Sequence, residues 1–491
     1  MDYRAENHEM ANGGELLPGQ SVVQRLEASS DFLCGVSVVI ATYSGEASVG
    51  AICLELFRFE DDQHHPIGQT IVSLRQVYDN SFVEVFCPPE QSSNGKEYLL
   101  RIFSTGTAPG AAPTIWLTNS KHRIPGHLHL SIGGHEKAAG LFAKVAFANP
   151  ISDTPVPPSL EISPVSQCNL NCTHCISRET RKSFNRLPER IRNEIKQWAE
   201  AGHLKTAYTD FSGDILWADQ RFGGELDLLT GLSIPFHLDT NGTHLTEDLA
   251  DRLFQSRVTS INVSIDAGND DTYRKIRRGA PALDHIFQNM EKLARKRIAM
   301  DRLDVPLSAA FVMMRSNIEE LPAFIRRVYE TGFDMVRTIH MQAYTADMEE
   351  ESLWFAKGLF NRVREDAIAI AHDLGIHLSI DRPFEDIEDR VATSFCDLPW
   401  TGAYLLGNGD VLACCVPGLR MGNLNHQSME DIWNGPEYQK LRQTVNSDNR
   451  PTTCRACPFH RKTNNPLSYT PGRDILYSGK PSVSGTSRRD C

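Results

Sequence analysis

Seven of the twelve cysteines in this 491-residue chain fall into two spaced groups. Cys168, Cys172 and Cys175 stand three and then two residues apart, close enough for one tight loop to present three soft sulfurs to a single metal centre. Three ligands are one short of a closed site, which leaves a coordination position for a small molecule. On the cysteines alone, a zinc loop completed by a distant Cys or His stays open as well. The second group is Cys396, Cys414, Cys454 and Cys457. Four thiolates, two of them in a CxxC pair, can close a tetrahedral or cluster site without an outside ligand, and on ligand count zinc fits as well as iron–sulfur. Cys34, Cys53, Cys87, Cys415 and Cys491 share no spacing.

The elements that must carry these groups can be read from apolar periodicity. Residues 1–30 read as a polar, poorly ordered lead-in. Across 31–149, the runs at 36–40, 52–56, 82–86, 98–103 and 114–117 are β-branched or aromatic and separated by turn residues, which predicts a β-sandwich. Four prolines at 150–158 mark an extended linker. From 159 to 380 about six strand–helix units alternate, which predicts a parallel sheet with helices outside. The first cysteine group directly follows the first of these strands. A cysteine-bearing extension (381–462) and a Ser-, Gly-, Pro- and Arg-rich flexible tail (463–491) complete the chain.

Cys168, Cys172 and Cys175 match the CxxxCxxC signature of radical S-adenosylmethionine (SAM) enzymes, and text at later strand ends resembles the same family. Ser212-Gly213-Asp214 resembles the GGE motif that binds the SAM amino group, with Ser for the first Gly and Asp for Glu. Thr240-Asn241-Gly242 looks like the TNG turn. Ser264 to Asp266 is similar to the segment approaching ribose and the methionine carboxylate. Tyr273 and Ile276 to Gly279 continue the familial text, and Arg315 and Asn317 lie in a further SAM-proximal turn. His174 occupies the position flanking adenine. The resemblance covers about 160–340. It implies a partial (βα)6 TIM-like barrel and a 4Fe–4S cluster on the three cysteines. SAM would chelate the fourth iron and be cleaved reductively to a radical that abstracts hydrogen from a substrate.

The second group, with Pro399-Trp400, Gly409 preceding Cys414, Gly422-Asn423 and Ile432-Trp433, resembles the SPASM/twitch extension of that family. It implies one auxiliary 4Fe–4S cluster on Cys396, Cys414, Cys454 and Cys457, serving electron transfer, and a flavodoxin- or ferredoxin-like electron donor. Gly-x4-Cys spacing selects Cys414 over Cys415 as ligand.

A net charge of −12 argues against a nucleic-acid partner. The basic runs at 275–278 and 295–297 read as solvated helix faces. The amino terminus lacks a secretory pattern and no apolar run suits a membrane span, so the expected setting is cytoplasmic. The sandwich, which resembles modules of carbohydrate-handling enzymes, leans the substrate reading toward saccharide or cyclitol oxidation or epimerisation. The alternatives are maturation of a ribosomal peptide, and a non-catalytic zinc-bound interaction protein.

Overall fold

The computed structural model describes residues 10–42, 49–60, 63–74, 77, 81–110, 112–118, 130–132, 135–137, 140–141, 143–149, 151–175, 177, 184–209, 212–343, 346–381, 383–384, 396–415, 418–447, 449–455 and 473–476.

Two antiparallel six-stranded sheets form the amino-terminal domain. One runs Met10–Glu15, Thr114–Thr118, Leu33–Ala41, Ala143–Phe147, with Ser81–Glu90 and Gly140–Leu141 paired beside this path. The other runs His135–Lys137, Leu130–Ile132, Ser21–Glu27, Glu97–Thr105, Ala51–Glu60, Gln63–Ser73. Alternation in Glu97–Thr105 turns Tyr98, Leu100 and Ile102 inward. They join Val36, Val38, Ile40, Leu54 and Leu56 in one core. Burying each Leu, Ile or Val contributes about 1.5–3 kcal/mol. The expected disordered lead-in is corrected here, because Met10–Glu15 and Ser21–Glu27 are strands within these sheets. Gln24 sits at a buried alternating position, where it donates to the Arg25 carbonyl and accepts from Leu141 N–H at 3.1 Å.

The expected parallel sheet is present and longer than its six expected strands. Ser159–Ile162, Thr206–Thr209, Phe236–Thr240, Val258–Ser264, Leu307–Met313 and Met335–His340 pair parallel in chain order, and His377–Asp381 adds a seventh. The sheet stays open, a partial barrel of the TIM-like kind. Helices cover it through apolar stripes: Ile191, Ile195 and Ala199 face inward from Glu189–Glu200. Thr246 and Asn269 cap the helices Glu247–Phe254 and Asp270–Ile276 by accepting from Leu249 and Thr272 N–H. The solvated reading of the basic runs is corrected at two positions. Arg297 is buried and paired with Asp334, and Arg277 is buried and paired with Asp266. A charge so placed must be matched by a partner.

The carboxy-terminal region joins the same sheet. Gly402–Leu405 lies parallel to Ser159–Ile162 and continues through Asp410–Leu412 and Arg420–Asn423, which brings the sheet to ten strands. The far edge carries Arg473–Leu476, antiparallel to His377–Asp381, so part of the expected loose tail is a strand. Among the described residues no helix is long and apolar enough to cross a membrane.

Candidate functional site

The cysteine loop leaves the carboxy-terminal end of Ser159–Ile162 and is tied down along its length. Ser166 N–H reaches the Asn185 carbonyl at 3.0 Å, and Thr173 N–H reaches the Ile276 carbonyl at 2.9 Å. Asn171 and Cys172 pair antiparallel with Arg278 and Arg277. Cys172 is buried, whereas Cys168 and Cys175 are half-buried. Two of the sulfurs already face N–H donors. Leu170 N and Asn241 Nδ2 lie 3.5 and 3.6 Å from Cys168 Sγ, and Arg277 Nη1 lies 3.9 Å from Cys172 Sγ.

Burial pushes the Cys172 thiol up to about 12, against the opposing pull of Arg277. A bare thiolate is disfavoured there, and a bound cation would supply the missing compensation. Three soft donors on one loop, with N–H groups aimed at two of them, fit an iron–sulfur cluster.

The other strand ends brace this loop. At Gly213 a Cβ would stand 2.5 Å from the Val165 carbonyl oxygen and 2.7 Å from that of Gln167, so only glycine fits against the loop's backbone. Ser212 donates to the Ser163 hydroxyl. Asp214, expected to receive an ammonium, is buried and committed internally. Its Oδ1 accepts from Trp217 N–H at 3.0 Å, and its Oδ2 from Thr240 Oγ1 and Asn241 N–H at 2.9 and 2.7 Å. Asn241 also donates to Asn169 Oδ1 at 2.9 Å.

Asp266, expected to approach ribose, is fully buried with φ +68°. Its Oδ1 accepts from Val312 N–H at 2.8 Å, and its Oδ2 faces Arg277 at 2.6 Å and His174 at 3.4 Å. Asn317 is likewise internal, donating to the Asp266 and Val312 carbonyls at 2.8 Å and accepting from Met314 N–H at 2.7 Å. Ser264 is half-buried and Arg315 is exposed. Motif spacing locates these turns but not the direction of their side chains. A buried carboxylate or amide must find its partners inside.

Beside Thr173 and His174 opens a cavity of about 390 Å³, with Ile276, Met314, Met341 and Met348 among its lining residues and Lys275 and Arg278 also present. His174 Nδ1 is buried without a hydrogen-bond partner, and burial lowers the imidazole's pKa despite Asp266 nearby. A buried ring nitrogen lacking a partner, bordering a cavity next to the cysteines, suits a bound nucleoside. The methionines and Arg277 were not singled out from sequence. Arg277 lay within the quoted familial text, where a buried arginine and a solvated one read alike.

In the second cysteine group, Asn446 clamps Cys396, accepting from its N–H at 2.8 Å and donating to its carbonyl at 2.9 Å. Cys414 follows Asp410–Leu412, and Cys454 lies in Thr452–Arg455. Burial and then the Cys414 charge push the Cys454 thiol up to about 11, so these two sulfurs lie within electrostatic reach. Cys415 is buried, and Cys457 lies outside the described residues. Arg442 stacks over Trp433 and Tyr438, 4.5 and 5.1 Å from their ring centres, and donates to the Pro399 carbonyl.

An open parallel sheet with a three-cysteine loop at its first strand end, followed by a separate cysteine-bearing hairpin, defines the class. Residues 162–328 match the Radical SAM superfamily, and residues 396–458 match SPASM, an iron–sulfur cluster-binding domain. The chain therefore carries a radical SAM domain followed by a carboxy-terminal SPASM domain, and the two domains imply 4Fe–4S clusters and SAM.

Among curated relatives, the PqqA peptide cyclase of Xanthomonas campestris pv. campestris (strain 8004) is 25% identical over 321 residues, covering 63% of this chain and 81% of that protein. The AdoMet-dependent heme synthase of Methanosarcina barkeri (strain Fusaro / DSM 804) is 23% identical over 302 residues, covering 56% and 82%. A solved structure of Streptococcus suis SuiB bound to S-adenosylmethionine aligns with TM-score 0.46 and 15% identity, covering 59% of this chain and 68% of that one.

Proposed function

We propose that this protein modifies a ribosomally made peptide by radical SAM chemistry. The reading rests on one observation: relatives named PqqA peptide cyclase match this chain over 321 residues, a span long enough to take in the barrel and beyond. That evidence supports the peptide alternative over the saccharide or cyclitol lean, which stood on the sandwich alone. Cys168, Cys172 and Cys175 would hold the SAM-cleaving 4Fe–4S cluster, and Cys396, Cys414, Cys454 and Cys457 one auxiliary 4Fe–4S cluster. When bound, cluster and SAM supply a one-electron cleavage that yields a hydrogen-abstracting radical.

The chain's own residues do the rest. The Gly213 and Asn241 turns hold the cysteine loop against the sheet end. His174 would offer its ring to the nucleoside, in a cavity whose lining combines Met314, Met341 and Met348 with Lys275, Arg278 and Glu351. A flavodoxin- or ferredoxin-like protein would deliver the electron.

The test is anaerobic reconstitution, metal analysis, then SAM with dithionite. About eight irons per chain and 5′-deoxyadenosine formation are expected. Co-expression with peptides encoded beside the gene should give a mass change that requires Cys172. Zinc in place of iron, with no SAM cleavage, would sink the enzyme reading and leave an interaction protein. Cleavage of SAM with no peptide altered would remove the substrate class.

A further inference from the structure

A buried arginine behind the cysteine loop points at one of the three cysteine sulfurs, and several contacts fix its geometry. Cys172 and Arg277 sit opposite one another in the two-residue antiparallel ladder, which the bond from Thr173 N–H to the Ile276 carbonyl extends. The ladder fixes both backbones, so the guanidinium has little choice of direction. Its Nε donates to the Ile265 carbonyl at 3.0 Å, Nη2 pairs with Asp266 Oδ2 at 2.6 Å, and Nη1 points at Cys172 Sγ from 3.9 Å. Arg277, Asp266 and Cys172 are all buried.

Asp266 is held equally firmly. It keeps a left-handed backbone, φ +68°, that side-chain-bearing residues rarely adopt. Val312 N–H binds its carboxylate and Asn317 binds its carbonyl. Such a conformation persists only when its surroundings enforce it. The outcome is a fixed row, sulfur, guanidinium, carboxylate and imidazole, in which the positive end meets the metal ligand.

A fixed positive charge and an N–H donor near a ligand sulfur stabilise the more negative, reduced state of a cluster, and low local polarity enlarges the effect. Asp266 lies beyond the guanidinium and partly offsets it. We propose that Arg277, anchored by Asp266, is a positioning residue that sets the electron affinity of the cluster at Cys168, Cys172 and Cys175 through Cys172. This rests on the cluster assignment made above, and it adds a control point to that site. A purely structural ion pair would tie the turn together and leave the cluster's potential unchanged.

The test is a mediated redox titration of the full reconstituted chain, followed by electron paramagnetic resonance of the one-electron-reduced cluster, with dithionite as electron source. For Arg277→Met, the reduced-to-oxidised ratio at fixed potential should fall about tenfold, a negative shift of about 59 mV for a one-electron couple. Arg277→Lys should recover part of the shift. Asp266→Asn should shift the potential in the opposite direction, since the offsetting charge is gone. Iron-replete Arg277→Met with the wild-type potential would overturn the inference and leave the cluster assignment standing.

Should Arg277→Met fail to retain iron, the wild type carries the decision. Pulsed resonance on protein with isotopically labelled arginine should show an arginine nitrogen coupled to the reduced cluster, and no coupling would overturn the inference. A wild-type chain holding no iron on these three cysteines sinks both readings at once.

Discussion

The two cysteine sites are built on opposite plans. The first gathers its three ligands within eight residues of one loop and braces that loop from the ends of several strands, through Gly213, Asp214, Asn241 and Arg277. The second draws Cys396, Cys414, Cys454 and Cys457 from a span of sixty-two residues, counting 396 to 457 inclusive. Its clearest brace is the reciprocal bond pair between Asn446 and the Cys396 backbone. A site braced by protein keeps its shape without metal, whereas a site assembled from distant segments gains order from the metal itself. The first should therefore lose chemistry when its cysteines go, and the second should lose structure.

Replacing Cys168, Cys172 and Cys175 together by Ala gives the largest expected effect. SAM cleavage falls to background, while the thermal midpoint moves by only a few degrees, less than ~2 kcal/mol at the transition. Calorimetry beside a 5′-deoxyadenosine assay checks both halves. A large loss of stability would remove the contrast between the sites.

Cys396→Ala with Cys414→Ala should leave about four of about eight irons. It should also open the carboxy-terminal region to limited proteolysis while 5′-deoxyadenosine still forms. Unchanged proteolysis would show that protein contacts alone order this region.

Gly213→Val sharpens the picture of the first site from within. Its Cβ meets backbone oxygens and not flexible side chains, so overpacking of about 1–3 kcal/mol is expected together with poor cluster loading. Urea unfolding and iron content measure the two. Full iron content in this variant would mean that the loop needs no support from the Ser212 to Asp214 turn.

Asp214→Asn is the smallest change. It retains one acceptor for the Trp217 cap and weakens the bonds to Thr240 and Asn241, for about 1–2 kcal/mol in urea unfolding. If Asp214 braces the loop, the apparent KM for SAM should move little. A large rise in KM with stability intact would return Asp214 to the role of an ammonium acceptor.

Legibility in the sequence followed the strength of the local signal. Leu307–Met313 reads straight from a run in which six of seven residues are apolar, Ser308 being the exception, and six of the seven are buried. The cysteines read from spacing alone, because metal chemistry restricts both residue type and separation. Ser21–Glu27 was hidden by Gln24, a polar residue at an inward position whose side-chain oxygen is satisfied by Leu141 N–H, more than a hundred residues away. His377–Asp381 was hidden by its His and Asp ends, although all five residues are buried. At the site, turn motifs located Asp214, Asp266 and Asn317 but not their direction. Whether a carboxylate faces a ligand or its own scaffold depends on which N–H groups the tertiary fold delivers, and one sequence does not contain that information in local form.

Gly402–Leu405 is hydrogen-bonded in parallel to Ser159–Ile162, the strand that launches the first cysteine loop. A ladder, and not a swinging linker, therefore joins the strand before Cys168 to the strand before the hairpin that leads to Cys414. Any electron passing between the two centres would cross a gap held by that ladder. Its rate should be indifferent to solvent viscosity, as a current along a fixed wire is and a diffusing shuttle is not.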